Sequence, residues 1–242
     1  MSTRTSRSAN GRETLGPISC RSCDLNEICR LSGLIAFDGG RGRQSTGALR
    51  VLRTGAPLFQ AGATAHSLYA VRQGMLKTVR VNAEGEEHIL AVHTPGEVLG
   101  LEAFGMGTYA SDAIALQPAV CCELPLPLFG DQGTRVRELG SALVRLLSEA
   151  TAPRVNPARG SVRQRVTNFL LDLAVRLERR GLNGRHFALG LSRQEIADLL
   201  DTRIETISRM MQQLNREQAI RVHGSKVSLL ALTTMSEPAE AT

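Results

Sequence analysis

The period of the apolar positions changes along the chain. From Leu49 to about Phe129 they fall in short runs, Ser67-Leu-Tyr-Ala-Val71, Leu76-Lys-Thr-Val-Arg-Val81 and His88-Ile-Leu-Ala-Val92, parted by glycine-containing turns. Short β-favouring runs at close intervals predict an antiparallel sandwich or barrel. Beyond Asp131, which can cap a helix, Val136, Leu139, Leu143, Leu146 and Ala150 recur at spacings of 3, 4, 3 and 4. This is a coiled-coil seam. A seam of two heptads buries little alone, so it predicts pairing with a second copy of the chain, with packing onto its own barrel as the alternative. Pro153 and Pro157 interrupt it.

The C-terminal third reads as helices followed by a hairpin. Val162, Val166, Phe169, Leu170, Leu173 and Leu177 share one helical face that ends near Gly181, and Phe187-Ala-Leu-Gly-Leu191 is a candidate strand. Ser192-Arg-Gln-Glu195 is a capping box opening a helix through Leu200. Thr202-Arg-Ile-Glu205 reads as another box, opening a second helix two residues later. Two helices this close make a helix-turn-helix candidate, and the alternating run Ile220 to Leu229, turning at Gly224-Ser225, would stand beside it as a wing. The expected organisation is α+β: a tail over 1–48, a β domain over 49–130, a seam helix and connector over 131–159, and a DNA-binding domain over 160–242.

Charge supports that division. The net charge is +6, but residues 51–130 carry −3 and residues 160–230 carry +5. A polyanion-binding surface is therefore expected after residue 160. With 42% apolar residues the chain can build packed cores. No apolar run reaches eighteen residues, and the first nineteen residues hold Arg4, Arg7 and Arg12 without an apolar stretch behind them, so a cytoplasmic protein without a membrane span is expected. Aromatic residues make up only 3%, which argues against stacking platforms for single-stranded nucleic acid. Gly100-Leu-Glu-Ala-Phe-Gly105 has Met106 where a P-loop needs lysine, and neither a G-x-S-x-G elbow nor an H-E-x-x-H pair occurs. An enzyme is not expected.

At 100° per residue over 203–216, Ile204, Ile207, Met210, Met211 and Leu214 fall on one side, and Glu205, Ser208, Arg209, Gln212 and Arg216 on the other. The polar side suits the major groove of double-stranded DNA. Arg209 can donate twice to guanine, Glu205 can accept from cytosine, and Ser208 can serve either base type. Arg203, Arg216 and Arg221 suit phosphates. The plainer reading is that Glu205 only closes the box with Thr202 and that the polar face is simply wet.

Five cysteines are too few for a secreted disulfide scaffold, and the odd number would leave one thiol over. Cys20, Cys23 and Cys29 form C-x2-C-x5-C, while Cys121 and Cys122 lie about a hundred residues on. Three close thiols need a fourth, and four thiolates hold either zinc or an iron–sulfur cluster; the spacing does not choose. Because adjacent strand residues face opposite ways, at least one of Cys121 and Cys122 is an ordinary buried thiol.

The order of these parts resembles the FNR branch of the CRP superfamily of bacterial transcription regulators. The resemblance rests on Cys20-x2-Cys23-x5-Cys29, Leu58-Phe-Gln-Ala-Gly62 with Ser67-Leu-Tyr69, Cys122-Glu-Leu-Pro125 and Glu205-Thr-Ile-Ser-Arg209. It implies an N-terminal antiparallel β-roll, a dimerisation helix and a winged helix-turn-helix. It also implies an oxygen-labile [4Fe-4S] cluster on Cys20, Cys23, Cys29 and Cys122, with Cys121 as an extra thiol. Glu205, Ser208 and Arg209 match the family's recognition residues, which implies a homodimer on inverted repeats of TTGAT-like half-sites, acting with RNA polymerase. A zinc or thiol-based redox regulator is the competing reading. The superfamily's cyclic-nucleotide binders need an arginine for the cyclic phosphate, yet no Lys, Arg or His occurs from Val98 through Thr134, so no cyclic nucleotide is expected.

Two departures stand out. Between Phe37 and Ala48 the chain has a glycine-rich stretch where relatives carry a short helix, which predicts a more loosely held tail. Pro153, Pro157 and Gly160 break a connector that relatives continue unbroken, so either the seam is short and kinked or dimerisation differs from the family.

Overall fold

A computed structural model of the chain describes residues 17–31, 35–36, 44–45, 48–129, 142, 144 and 160–230. The chain divides into two compact units, one from residues 1–80 and 92–152 and one from residues 81–91 and 153–242. The expected seam residues Val136, Leu139, Leu143, Leu146 and Ala150 lie outside the described residues, as do Pro153 and Pro157.

The first unit begins with a single 3-10 turn at Cys20–Ser22 and a short helix, α1 (Asn26–Leu31), followed by a two-stranded pair, β1 (Ile35–Ala36) and β2 (Gln44–Ser45). The roll then runs through β3 (Leu49–Leu52), β4 (Pro57–Phe59), β5 (Ser67–Gln73), β6 (Leu76–Val81), β7 (Glu87–His93), β8 (Val98–Leu99), α2 (Ala103–Met106), β9 (Asp112–Ala115) and β10 (Ala119–Pro125). These strands form two four-stranded sheets, β3-β10-β5-β8 and β4-β9-β6-β7. The three runs read from the sequence are β5, β6 and β7. At the turn between β5 and β6, Gly74 has φ +82°, and a Cβ there would meet the Pro118 carbonyl oxygen at 2.5 Å, so only glycine fits.

The roll holds a core of aromatic and aliphatic side chains. Phe59 stacks on Tyr109 with ring centroids 3.9 Å apart and planes 12° apart, and the Tyr69 ring lies 5.9 Å from Phe59 with planes 28° apart. The Tyr109 hydroxyl donates to the Ser67 carbonyl at 2.7 Å. Val71, Leu76, Leu99, Ala113 and Cys121 complete this core.

The second unit is built on α3 (Val162–Arg179), which buries Val166, Phe169, Leu170, Leu173 and Leu177 on the predicted face. Its start carries a capping box that the sequence analysis missed. Ser161 accepts from the Gln164 amide, and the Gln164 side chain accepts from the Ser161 amide. There follow β11 (His186–Ala188), α4 (Arg193–Leu199), α5 (Ile204–Arg216), β12 (Ile220–His223) and β13 (Lys226–Leu229), with the strands ordered β11-β13-β12. The expected run Phe187 to Leu191 is shifted toward its start: the strand ends at Ala188. No helix among the described residues is long and apolar enough to cross a membrane.

Candidate metal centre and nucleic-acid interface

In the tail, the Cys23 amide donates to the Cys20 carbonyl at 3.3 Å, and the Asn26 side-chain amide closes the loop onto the same carbonyl at 2.6 Å. Helix α1 carries Cys29, whose amide donates to Leu25 at 2.8 Å. Leu25 and Ile28 are fully buried against Leu68, Ala70 and Leu124 of the first sheet. Burying each of these two side chains is worth about 1.5–3 kcal/mol. The amides of Ile18 and Asp24 donate to the carbonyls of Arg72 and Gly96 at 2.9 and 3.0 Å. The tail is therefore tied down through residues 18–29; the glycine-rich stretch on which a looser tail was expected lies, apart from Gln44 and Ser45, outside the described residues.

The fourth thiol reaches the same place from the sheet. Cys122 on β10 lies opposite Leu49 of β3 and Ala70 of β5. It packs with Cys20, Cys23 and Cys29 around Leu25, Ile28, Leu68, Ala70, Leu124 and Ala142. Cys121 points the other way, with no exposed surface, into the core with Tyr69 and Val71. Alternation along the strand thus separates the two neighbours. Burial pushes the Cys23 and Cys29 thiols up to about 12, and the other cysteines of the group add to the rise; burial does the same to Cys121. Both tail thiols are protonated at neutral pH, so loading them with metal would release protons. Among the described residues no group of three or more His, Cys, Asp or Glu is arranged to enclose a metal ion as the side chains lie. The thiols are gathered without being closed around one point.

Glu123, next to Cys122, accepts from Arg50, from Ser67 at 3.0 Å and from Tyr69 at 3.5 Å. The Arg50 guanidinium holds this carboxyl below the usual carboxylate range.

In the second unit the predicted box at Ser192 is present: its side chain accepts from the Glu195 amide at 3.1 Å, and Glu195 accepts from the Ser192 amide at 2.7 Å. The expected box at Thr202 is not. Arg203 is the N-cap of α5 and makes no side-chain cap bond. Thr202 instead closes α4: its amide donates to Ala197 at 2.9 Å and the Asp201 amide to Asp198 at 3.1 Å, with Asp201 at φ 48°. This is a Schellman motif with aspartate in the left-handed position usually held by glycine. Arg165 of α3 donates to the Leu200 and Asp201 carbonyls at 2.6 and 3.0 Å and fixes the turn.

Helix α5 buries Ile207, Met211 and Leu214 and leaves Glu205, Arg209, Gln212 and Arg216 exposed, with Ser208 half-buried beside them. Ile204, expected on the apolar side, is 36% exposed in the first turn. Arg203 and Arg221 are exposed as well. The wing hairpin turns at Gly224, and a cleft of about 190 Å³ lies between it and the start of α4, lined in part by Ser192, Arg193 and Ser225. Arg193, whose guanidinium is pushed below its ordinary value by burial, was not singled out from the sequence.

Residues 49–132 match the cyclic nucleotide-binding domain and residues 164–237 the Crp-like helix-turn-helix domain. The chain is 30% identical to the transcriptional activator protein anr of Pseudomonas aeruginosa, over 87% of this chain and 88% of that protein. The chain belongs to the FNR branch of the CRP/FNR regulators. Another relative, the fumarate and nitrate reduction regulatory protein of Vibrio cholerae, is 27% identical over 88% of this chain and 87% of that one. Among solved structures, the CRP-family regulator TTHB099 of Thermus thermophilus matches with a TM-score of 0.61 at 25% identity, covering 77% of this chain and 94% of that one. FixK2 of Bradyrhizobium japonicum matches with a TM-score of 0.65 at 23% identity, covering 78% and 95%. This FNR-branch chain is accordingly a DNA-binding transcription regulator and not an enzyme.

Proposed function

We propose that this regulator senses oxygen through a [4Fe-4S] cluster on Cys20, Cys23, Cys29 and Cys122, and controls anaerobic gene expression as a cytoplasmic homodimer bound to TTGAT-like inverted repeats. The observation that carries this reading is the meeting of Cys122 with three thiols about a hundred residues away, in one half-buried apolar setting. The donor set fits: four sulfurs can each take one corner of a four-iron cube, whereas a single zinc ion needs all of them about 2.3 Å from one point. When bound, the group supplies an oxygen-labile centre.

The chain's own residues supply the coupling. Leu25 and Ile28 seat the tail, Asn26 shapes the loop between its cysteines, and Ala142 packs in the same cluster as Cys29. A change in how the tail lies is therefore felt at Ala142, within the segment that carries the seam residues, and a ligand that favours one tail position shifts the dimer equilibrium by its differential affinity. On DNA, Arg209, Glu205 and Ser208 read bases; Gln212 lies on the same face, and Arg203 and Arg216 meet phosphates. RNA polymerase is the protein partner. The lack of any Lys, Arg or His from Val98 through Thr134 supports a sensor that takes no cyclic nucleotide.

Purification without oxygen tests the proposal. It should yield a coloured protein with about four irons per chain, whose DNA affinity falls on exposure to air. A colourless, zinc-loaded protein with unchanged DNA affinity in air overturns it. Arg209→Ala should cost about 1–3 kcal/mol at one position of the half-site, read by titration against single-base variants. An equal loss on scrambled DNA would reduce Arg209 to a phosphate contact.

A further inference from the structure

Two cysteines stand side by side on β10, and only the register of that strand decides which one faces the tail. A slip by one residue turns every side chain of a strand to the opposite face. Here it would present Cys121 to the tail and send Cys122 into the aromatic core. Most one-residue slips are penalised by the swapped side chains; at this pair one thiol takes the place of another, so the penalty falls on the residues that flank the pair, buried Leu124 among them. The pairing of β10 with β5 is also irregular at this point, with a register shift between Val120 and Cys121.

Among the flanking residues, Glu123 has the most polar contacts to lose. It sits on the Cys121 side of the strand, where its carboxylate is gripped from both neighbouring strands. From β3, Arg50 donates through Nε at 2.7 Å and Nη2 at 3.2 Å; from β5, Ser67 and Tyr69 donate at 3.0 and 3.5 Å. Arg50 pairs across the ladder with Cys121, so its reach to Glu123 is a diagonal contact available in one register only. Slipping the strand would carry the carboxylate to the apolar side, against Leu68 and Ala70 of β5, with its donors left behind.

We propose that Glu123, clamped by Arg50, Ser67 and Tyr69, is a positioning residue that selects Cys122 over Cys121 to meet Cys20, Cys23 and Cys29. Its purpose rests on the cluster reading above, but its effect on register does not, and the two can be tested apart. In metal-free protein kept from oxygen, brief alkylation with iodoacetamide followed by mass spectrometry should label Cys122 at least about tenfold faster than Cys121. In Arg50→Ala and Glu123→Ala that preference should fall below about threefold, and Arg50→Lys should restore most of it. If Glu123→Ala does not fold, Glu123→Gln, which keeps the shape and loses the charge, takes its place beside Arg50→Ala. An unchanged labelling ratio in these folded variants overturns the proposal, since a merely stabilising ion pair would leave it untouched.

Iron binding gives a second readout. Cys122→Ser should abolish iron uptake in the otherwise native chain, and adding Glu123→Ala should bring iron back through Cys121. A native chain that takes up no iron defeats the cluster reading while the alkylation ratio still judges the clamp.

Discussion

The cysteine group and the helix proposed to read DNA are built on opposite plans. The group joins residues 20–29 to residue 122, and its parts meet only because a tail docks on a sheet. The reading face of α5 lies within a dozen consecutive residues and needs only a helix with its other side buried. One site is assembled by tertiary structure and is half-buried; the other is local and exposed. A site assembled from distant pieces can report on whether those pieces are together, and that is what a sensor requires. A face drawn from consecutive residues keeps its arrangement wherever its helix stays packed, and that is what a reader of DNA requires.

The sharpest test of this contrast is Cys29→Ser. It should abolish iron loading, measured as iron per chain, and leave the thermal unfolding of the second unit within about 0.5 kcal/mol of the native chain. Loss of helix-turn-helix stability in this variant would break the division. Within the second unit, Ser192→Ala removes the cap of α4 and should lower stability by about 1 kcal/mol in urea unfolding, with iron uptake unchanged.

Gln218→Gly should act in the other direction. Gln218 sits at φ 57° where α5 ends, with the Ala219 amide bonded to Leu214 and its own to Asn215, and glycine in that position should add about 0.5–1 kcal/mol. The smallest effect belongs to Glu217, held low by hydrogen bonds from Gln213 and Arg163, the latter at 2.7 Å. Its contribution is present above the unfolded carboxyl pKa and is lost as pH falls through the lower folded value. Because the pair is solvated, Glu217→Gln should change stability at pH 7 by only a few tenths of a kcal/mol, with no difference left at low pH.

The same contrast governs what could be read from sequence. The Ser192 box, the buried stripe of α3 and the wing about Gly224 depend on neighbours a few residues away, and all are present. The Ser161 box is equally local, joining two residues three apart, and was not read from the sequence. Thr202 misled because a capping residue and the end of a preceding helix use the same amide, and in a turn this short α4 claims it. Nothing in the sequence alone could say which of Cys121 and Cys122 joins the tail; the resemblance named Cys122, and the pairing of β10 with Ala70 and Leu49 shows why it can reach. The clamp on Glu123 was invisible for the same reason, since its donors come from residues 50, 67 and 69.

The place of β10 between β3 and β5 has one more implication. A ladder on each flank makes Cys122 a fixed post, which can retreat only if a sheet is unzipped. The sulfurs at 20, 23 and 29 are moored chiefly by two greasy side chains and a few amide bonds. Whatever strips the site must therefore begin at the amino-terminal end, and reassembly needs only that end to find its berth again.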